Sequence, residues 1–383
     1  RLFGGEVFSR WVTIGERLAG EEPTSREGAT AYFAIAPATV ARLSLETVAT
    51  WAEIGRDTLK LSRRLGSQFL QASAPLLASI PDPVLSRLRA WATHGSALLG
   101  TKGWKGEFLA VSYFDAAPAA LPVLSEEEMA AWAKLGLLVQ DAGPWTFYAT
   151  LPRGFAELTS EERLLLLTSC QEAARVAPKS ATDVFALLPP ALLPFAPALR
   201  HTLLAWLTPT IRTDPASIPP ALPLLKSFVK IVSLESRPPL RETLLEVARH
   251  FPAGVPLLIR TLPRACEETG EHGVLDWLTT GLTIAADNPA AGVAFFALES
   301  RTSTRVLRES SSAVELAEVQ ELLRKYIHML SGSTVAIVQQ EGLSYPPALE
   351  ALPVIADALP LPARVAGDGR GGRRGGGWLR GAR

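Results

Sequence analysis

The sequence is poor in the residues that most often carry catalysis or hold metal ions. Its 383 residues include only 2 cysteines, 5 histidines and 2 methionines. The cysteines, Cys170 and Cys266, are too few for a disulfide framework, and their surroundings show no zinc-finger spacing. Such cysteine usage is typical of a reducing compartment, so we expect a cytoplasmic protein without a bound metal or cofactor.

A charge imbalance and long apolar runs are also missing. The 38 basic and 38 acidic side chains cancel, which argues against a general electrostatic attraction to nucleic acid or to an anionic membrane. A long run without charge, from Val184 to Leu199, is interrupted by four prolines. This run is too short and too broken to cross a bilayer. The hydrophobic content of 48% is ample for a folded core.

Catalytic motifs are absent as well: the chain contains neither His-Glu-x-x-His nor Gly-x-Ser-x-Gly. A literal dinucleotide fingerprint, Gly367-x-Gly369-x-x-Gly372, has no predicted strand before it and no helix after it, so the glycines lack their structural setting. The stretch from Cys266 to His272 clusters possible ligands but matches no zinc spacing, and we predict a solvated loop between helices there. We therefore predict no catalytic, metal-binding or cofactor-binding residues, and no enzymatic activity.

A tryptophan followed four residues later by a glycine recurs along the chain, at first with intervals of 40, 40 and 41 residues. The copies begin at Trp11, Trp51, Trp91, Trp132 and Trp277. An aromatic helix end followed by proline lies about twenty residues after each of the first three tryptophans. One period therefore reads as two helices, which is the size of a HEAT or armadillo unit.

These Trp-x-x-x-Gly pairs have two interpretations. In the first, the tryptophan fills the space between stacked helix pairs, and the glycine lets a neighbouring helix approach closely. In the second, the tryptophans form an aromatic binding stripe along a groove. Apolar residues recur at helical spacing beside them, as Val48 and Ile54 do around Trp51, which favours the first interpretation.

Local signals mark several helix starts. Capping boxes are predicted at Thr24, Ser125, Thr159 and Ser312, and Asp82-Pro83 predicts an N-cap followed by proline at the first helical position. The glutamates at 126–128 and 161–162 are then explained by their places in first helical turns.

Between residues 140 and 270 the period is looser. Trp206, and either Cys170 or Gln171, fall near the expected tryptophan positions. Because prolines are dense in this region, we predict shorter helix pairs joined by proline-rich turns.

We predict an all-α chain: an α-solenoid of about 40-residue helical hairpins, HEAT- or armadillo-like, with a small irregular C-terminal piece. The predicted divisions are a helical solenoid over 1–311, a capping helix and irregular linker over 312–365, and a disordered tail rich in glycine and arginine over 366–383. The C-terminal piece contains at most one or two short strands, of which Val335–Val338 is the best candidate. The chain opens without an initiating Met, so we expect a fragment of a longer protein.

Residues 294 to 332 resemble part of a known family. Four segments carry the likeness: Ala294–Ser303, Ser310–Glu315, Leu322–Tyr326 and Met329–Gly332. They resemble the segment that joins the helical part to the rest in bacterial von Willebrand factor A proteins of the NorD and CbbO type. The Trp-Ala-x-x-Gly repeats also resemble that family's N-terminal region. The family's von Willebrand domain, with its metal-binding Asp-x-Ser-x-Ser, is missing here, so no metal-site residue is carried over.

The resemblance implies a non-catalytic adaptor that works with a MoxR-type AAA+ ATPase in activating or maturing metalloenzymes or Rubisco. The polar block between two predicted helices supplies the candidate partner-contact residues Glu299, Arg301, Thr302 and Ser303. A capped helix-to-helix turn explains the same block without any function. Two alternatives stay open: an enzyme or small-ligand site around Glu299–Ser303 with His328 within reach, and RNA binding through the arginine and glycine tail.

Overall fold

The computed structural model describes most of the chain up to residue 287 and three single residues beyond it. The described residues are 5–19, 25–34, 43–77, 79, 83–100, 104–140, 147–148, 151–232, 237–287, 289, 292 and 296. The predictions for 312–365 and 366–383, including the strand candidate and the Ser312 capping box, lie outside them, as does the capping box at Thr24.

All regular structure in these described ranges is helical, and no strand occurs in them. The prediction of an all-α helical repeat fold is therefore confirmed for this part of the chain. The α-helices are α1 (Gly5–Ala19), α2 (Ser25–Phe33), α3 (Leu45–Leu61), α4 (Arg63–Ser73), α5 (Val84–Ala97), α6 (Trp104–Asp115), α7 (Ala117–Ala120), α8 (Glu126–Val139), α9 (Ser160–Ala174), α10 (Pro178–Leu192), α11 (Pro197–Thr213), α12 (Ile218–Ala221), α13 (Leu225–Val232), α14 (Pro238–His250) and α15 (Val255–Asp287). Short 3-10 helices lie at Ala74–Leu76, Leu98–Gly100, Pro215–Ser217, Leu222–Leu224 and Pro252–Gly254.

The chain divides into two compact units, Arg1–Lys226 and Ser227–Arg383. In the first unit the helices form two layers. The first layer stacks α1, α3, α5, α8, α9 and α11 in that order, and the second stacks α2, α4 and α6. The hairpins α1–α2, α3–α4 and α5–α6 each contribute one helix to each layer, so a helical hairpin is the repeating element of this unit.

Three tryptophans of the repeated pairs lie in the core of this stack. Trp51, Trp91 and Trp132 are fully buried on first-layer helices. Trp91 stacks on Tyr113 of α6, with ring centroids 3.9 Å apart, and its centroid lies 6.0 Å from that of Trp132 in the next first-layer helix. The Trp51 indole donates a hydrogen bond to the Ser73 hydroxyl of α4 at 2.9 Å. The interpretation of these tryptophans as core residues is confirmed.

The glycines of the pairs allow the two layers to approach each other closely. A methyl carbon added at Gly95 on α5 would overlap the Phe114 ring of α6, and one added at Gly55 on α3 would overlap the Leu70 side chain of α4. In each hairpin the second helix fills the volume that a Cβ would need. The tryptophan and the glycine of a pair therefore act together: on one helix, the large side chain fills the core and the glycine lets the second helix approach.

Gly95→Ala is expected to lower the free energy of unfolding by about 1–3 kcal/mol, because the added methyl overpacks the contact with Phe114. Urea unfolding followed by circular dichroism measures the change. The control is Gly100→Ala, where an added Cβ has no neighbour within 4 Å and the change should stay below about 1 kcal/mol. Equal losses for both substitutions would contradict the close approach.

The fourth pair departs from the hairpin pattern. Tyr148, which lies in a turn and not in a helix, packs edge to face on Trp132, with centroids 5.0 Å apart. Its hydroxyl donates to the Ala133 carbonyl at 2.8 Å, and a Cβ at Gly136 would overlap it. The Trp and Gly of this copy thus keep their packing roles without a second helix carrying the aromatic partner.

The first layer continues through the region where the period is looser. Gln171 of α9 is buried and donates from Nε2 to the Ala131 carbonyl of α8 at 2.7 Å. Cys170 and Trp206 are buried on α9 and α11. All three residues therefore lie in the core of the stack, at or near the positions where the period predicts a tryptophan.

Two predicted capping boxes are present, from Ser125 to Glu128 at α8 and from Thr159 to Glu162 at α9. The Asp82-Pro83 prediction is wrong by one residue, because Pro83 itself occupies the N-cap of α5. Its φ of −83° and ψ of 102° are extended, which is the conformation of a cap and not of a first helical residue.

Of two predictions for the later part of the chain, one is wrong and the other holds only in part, because α12 and α13 are short, at 4 and 8 residues, and α10 and α11 are not. The stretch from Cys266 to His272 lies inside α15 and not in a loop, and its one glycine costs a helix only about 1 kcal/mol. The helices α10 and α11 are not short, at 15 and 17 residues. Most of α10 precedes its interior prolines, Pro189 and Pro190, which fall in the last turn and so disturb few of its hydrogen bonds.

In the second unit, α14 packs on α15. Trp277, from the fifth Trp-x-x-x-Gly copy, is fully buried on α15. Its ring meets Phe296 edge to face with centroids 5.1 Å apart, and Phe251 stacks on the same phenyl ring at 6.0 Å. This copy also serves as core.

Candidate functional site

The contact residues predicted from the sequence, Glu299, Arg301, Thr302 and Ser303, lie outside the described residues. The same holds for His328 and for the arginine and glycine tail. Within the described residues, one surface depression is a groove on the first layer of the first unit.

This α3–α5 groove has a volume of about 410 Å³. One wall comes from α3 and the other from α5. The residues of each wall recur at helical spacing, so each wall is a single helix face of about two turns. The groove is lined by Glu53, Ile54, Asp57, Thr58, Leu61, Arg89, Ala92, Thr93 and Ser96.

The floor of the α3–α5 groove is apolar. Ile54 and Ala92 are almost fully buried. The Thr58 hydroxyl donates to the Ile54 carbonyl at 2.9 Å, and the Thr93 hydroxyl donates to the Arg89 carbonyl at 2.8 Å. Because each hydroxyl is engaged by its own helix, the threonines offer mainly their methyl groups to the groove. The floor therefore suits an apolar side chain and presents few hydrogen-bonding groups.

The rim of the groove is charged. Glu53 and Asp57 are exposed on the α3 side, and Arg89 is exposed on the α5 side. Asp57 pairs with Lys60, with Nζ and Oδ1 2.9 Å apart; both side chains face solvent, so this pair contributes at most about 1 kcal/mol. Neither Glu53 nor Arg89 forms an ion pair with another described residue. Their charges are therefore available to a bound molecule.

A smaller groove of about 60 Å³ lies between α1 and α3. It is lined by Ile14, Arg17, Leu18, Ala49, Ala52, Glu53 and Arg56. Glu53 borders both grooves, and each groove has small or aliphatic side chains beneath charged ones. The surface is thus repeated from one hairpin to the next, as expected when successive helix pairs are stacked in the same way.

Most of these groove residues do not stand out in the sequence, although the repeat contains a signal for them. The residue directly after the tryptophan is alanine at Ala52 and Ala92, and these alanines line successive grooves. One residue along a helix is a rotation of about 100°, so the tryptophan faces the core while its neighbour faces the groove. A short side chain at that position leaves the groove open.

Buried ion pairs link the later helices of the first layer. Glu128 of α8 pairs with Arg163 of α9, with Oε1 and Nε 3.0 Å apart, and Glu162 of α9 pairs with Arg200 of α11 at 3.8 Å. The two glutamates also complete the capping boxes of α8 and α9, as the sequence interpretation expects. Both carboxylates are almost fully buried, so a substrate cannot reach them and their role is structural.

Two other potentially reactive side chains of the first unit, those of Cys170 and His94, are wholly or partly buried. Cys170 is fully buried, and burial raises the pKa of its thiol, which keeps it protonated and unreactive. His94 is half-buried on α5, where burial lowers the pKa of the imidazole and Glu126 opposes that shift. Among the described residues, no group of three or more His, Cys, Asp or Glu side chains is placed to hold a metal ion.

Comparison of the chain with protein-family models found no match, and comparison with curated proteins also found none. The resemblance to the von Willebrand factor A proteins is therefore a hypothesis that the sequence segments alone carry. None of the helices in the described ranges combines the length and the apolarity that a membrane-spanning segment needs.

Proposed function

We propose that this protein is a non-catalytic, protein-binding scaffold whose first-layer helices present grooves to a partner. The observation that carries the proposal is the α3–α5 groove, in which an apolar floor lies between charged rims. An apolar centre surrounded by a polar rim is typical of protein–protein contact surfaces. Stacked helical hairpins commonly serve as extended surfaces of this kind.

The chemistry of the groove favours a protein ligand over a small substrate. A small-molecule site needs a few convergent polar groups that fix the orientation of the ligand. The hydroxyls of Thr58 and Thr93 are engaged by their own helices, so the floor supplies few such groups. A docked protein side chain requires only apolar contact and a matching shape there.

The partner that the sequence resemblance implies is a MoxR-type AAA+ ATPase, and we propose it as the binding partner. In this proposal the protein is an adaptor in the activation or maturation of a metalloenzyme or of Rubisco. The zero net charge fits recognition through a local groove, because long-range electrostatic steering needs an excess of one sign.

Thr93→Trp is expected to weaken binding of the ATPase at least tenfold, because the indole would fill the α3–α5 groove. A tenfold loss corresponds to about 1.4 kcal/mol of binding free energy. Thr93 is exposed, so the substitution should leave the fold intact. Isothermal titration calorimetry with the full chain and a purified MoxR-type ATPase measures the change.

Thr30→Trp is the matched control. Thr30 is an exposed second-layer residue of α2 whose hydroxyl donates to the Arg26 carbonyl at 2.8 Å, which reproduces the local setting of Thr93 away from the groove. We expect the affinity of the Thr30→Trp variant for the ATPase to stay within about twofold of the wild-type value, a change in binding free energy of less than about 0.5 kcal/mol. Equal losses in both variants would place the contact elsewhere, and no binding by the wild-type chain would overturn the proposed partner.

A further inference from the structure

We infer that the α3–α5 groove binds an amphipathic helix of the partner, with apolar side chains on the floor, a lysine or arginine beside Glu53 and a carboxylate beside Arg89. The inference rests on the proposed function and specifies the chemistry of the segment that is recognised. It follows from three properties of the groove: the few hydrogen-bonding groups on its floor, its length and its charges.

The first property is that the floor has few hydrogen-bonding groups. An extended peptide would bring backbone N–H and C=O groups against this surface, and each would need a partner. Thr58 and Thr93 are engaged by their own helices, and the described residues contain no strand edge to which a peptide could add. A helix satisfies its backbone internally, so it can lie on the floor without unpaired groups.

The second property is the length of the groove. The α3 wall runs from Glu53 to Leu61, which is about 12 Å at 1.5 Å per residue. That length matches about two turns of a bound helix, whose anchors would recur at i, i+3 or i+4, and i+7. Leu61 is 62% exposed, so an apolar contact at this end of the groove is available to the last anchor.

The third property is the arrangement of charge. The two carboxylates of the α3 wall, Glu53 and Asp57, are one helical turn apart, and Arg89 lies on the opposite wall. Asp57 shares its charge with Lys60, so Glu53 is the principal anion and Arg89 the principal cation. A bound helix with a basic flank towards α3 and an acidic flank towards α5 complements both walls.

The test uses synthetic helical peptides, held in the helical state by a side-chain staple because short helices are marginal in water. The probe carries leucines on one face, two lysines one turn apart on one flank and a glutamate on the other. One comparator replaces the lysines by glutamates, and a second replaces the leucines by serines. Fluorescence anisotropy with the full chain should show binding of the probe that is at least tenfold tighter than that of either comparator.

Glu53→Lys then tests where the peptide binds. We expect this variant to bind the probe at least tenfold more weakly and to bind the glutamate comparator more tightly than the wild type does. A merely structural role of Glu53 would not reverse the preference. Glu46→Lys is the control, because Glu46 is an exposed carboxylate on the same helix that does not line the groove, and its preference should be unchanged.

Equal affinity for the probe and the glutamate comparator, or no reversal in Glu53→Lys, would overturn the inference. If the inference fails in this way, weaker binding of the ATPase to the Thr93→Trp variant would still support the proposed function. The expected peptide preference without any binding of the ATPase would support the inferred segment and reject the named partner. The two failures are therefore distinguishable.

Discussion

Trp51→Ala should lower the free energy of unfolding by about 3–5 kcal/mol. The indole is fully buried, stacks on Tyr32 of α2 with centroids 5.7 Å apart, and donates to Ser73 of α4. Removing it leaves a cavity where three helices meet and deprives the Ser73 hydroxyl of a donor. The measurement is urea unfolding followed by far-ultraviolet circular dichroism.

Leu61→Ala is the control on the same helix. Leu61 is mostly exposed, so its truncation should change stability by less than about 0.5 kcal/mol. A loss below about 1 kcal/mol for Trp51→Ala would show that the indole does not fill a core. The interpretation of the tryptophans as an aromatic binding stripe would then be favoured.

Glu128→Ala is expected to cost a similar amount, about 3–5 kcal/mol, for a different reason. Its Oε1 accepts hydrogen bonds from Arg163 Nε at 3.0 Å and from the Ser160 hydroxyl at 2.7 Å, and its Oε2 accepts from the Ser125 backbone N–H at 2.6 Å. The substitution leaves the Arg163 guanidinium, whose side chain is 12% exposed, without its counter-ion. It also opens the capping box of α8. Thermal and urea unfolding measure the loss.

Glu127→Ala is the control for this prediction. Glu127 lies in the same first turn of α8 but is exposed, so its removal costs only the interaction with the helix dipole, about 0.3–1 kcal/mol. A double substitution, Glu128→Leu with Arg163→Met, should recover part of the loss, because replacing both charges leaves neither one buried alone. A Glu128→Ala loss as small as that of Glu127→Ala would contradict a stabilising buried pair.

The helical hairpins can be predicted from the sequence because their packing repeats locally. Trp91 and Gly95 lie one helical turn apart, and the Tyr113–Phe114 pair that packs on them follows about twenty residues later. In any stacked helix pair, a large side chain can fill the space between the helices, a glycine can let them approach, and an aromatic pair can pack against both. The same regularity explains why Gln171 and Trp206 are buried near the positions where the period predicts tryptophan.

The buried charges and the groove depend on contacts between hairpins, which periodicity does not reveal. Glu128 and Glu162 read as ordinary capping residues in the sequence, because their arginine partners lie about one hairpin further along the chain. Residues 266–272 read as a loop because their composition is polar, whereas they lie inside α15. The groove needs Glu53 and Arg89 on facing helices, and only the stacking of α3 on α5 brings them together.

In our proposal, the α3–α5 groove is the surface at which a partner protein binds. The most direct measurement is site-specific photo-crosslinking, with a benzophenone amino acid placed at Thr93 or, as the control, at Thr30 in the full chain mixed with a MoxR-type ATPase. We expect a covalent adduct of the ATPase from position 93 and none from position 30. An adduct from position 30 alone, or from neither position, would contradict it.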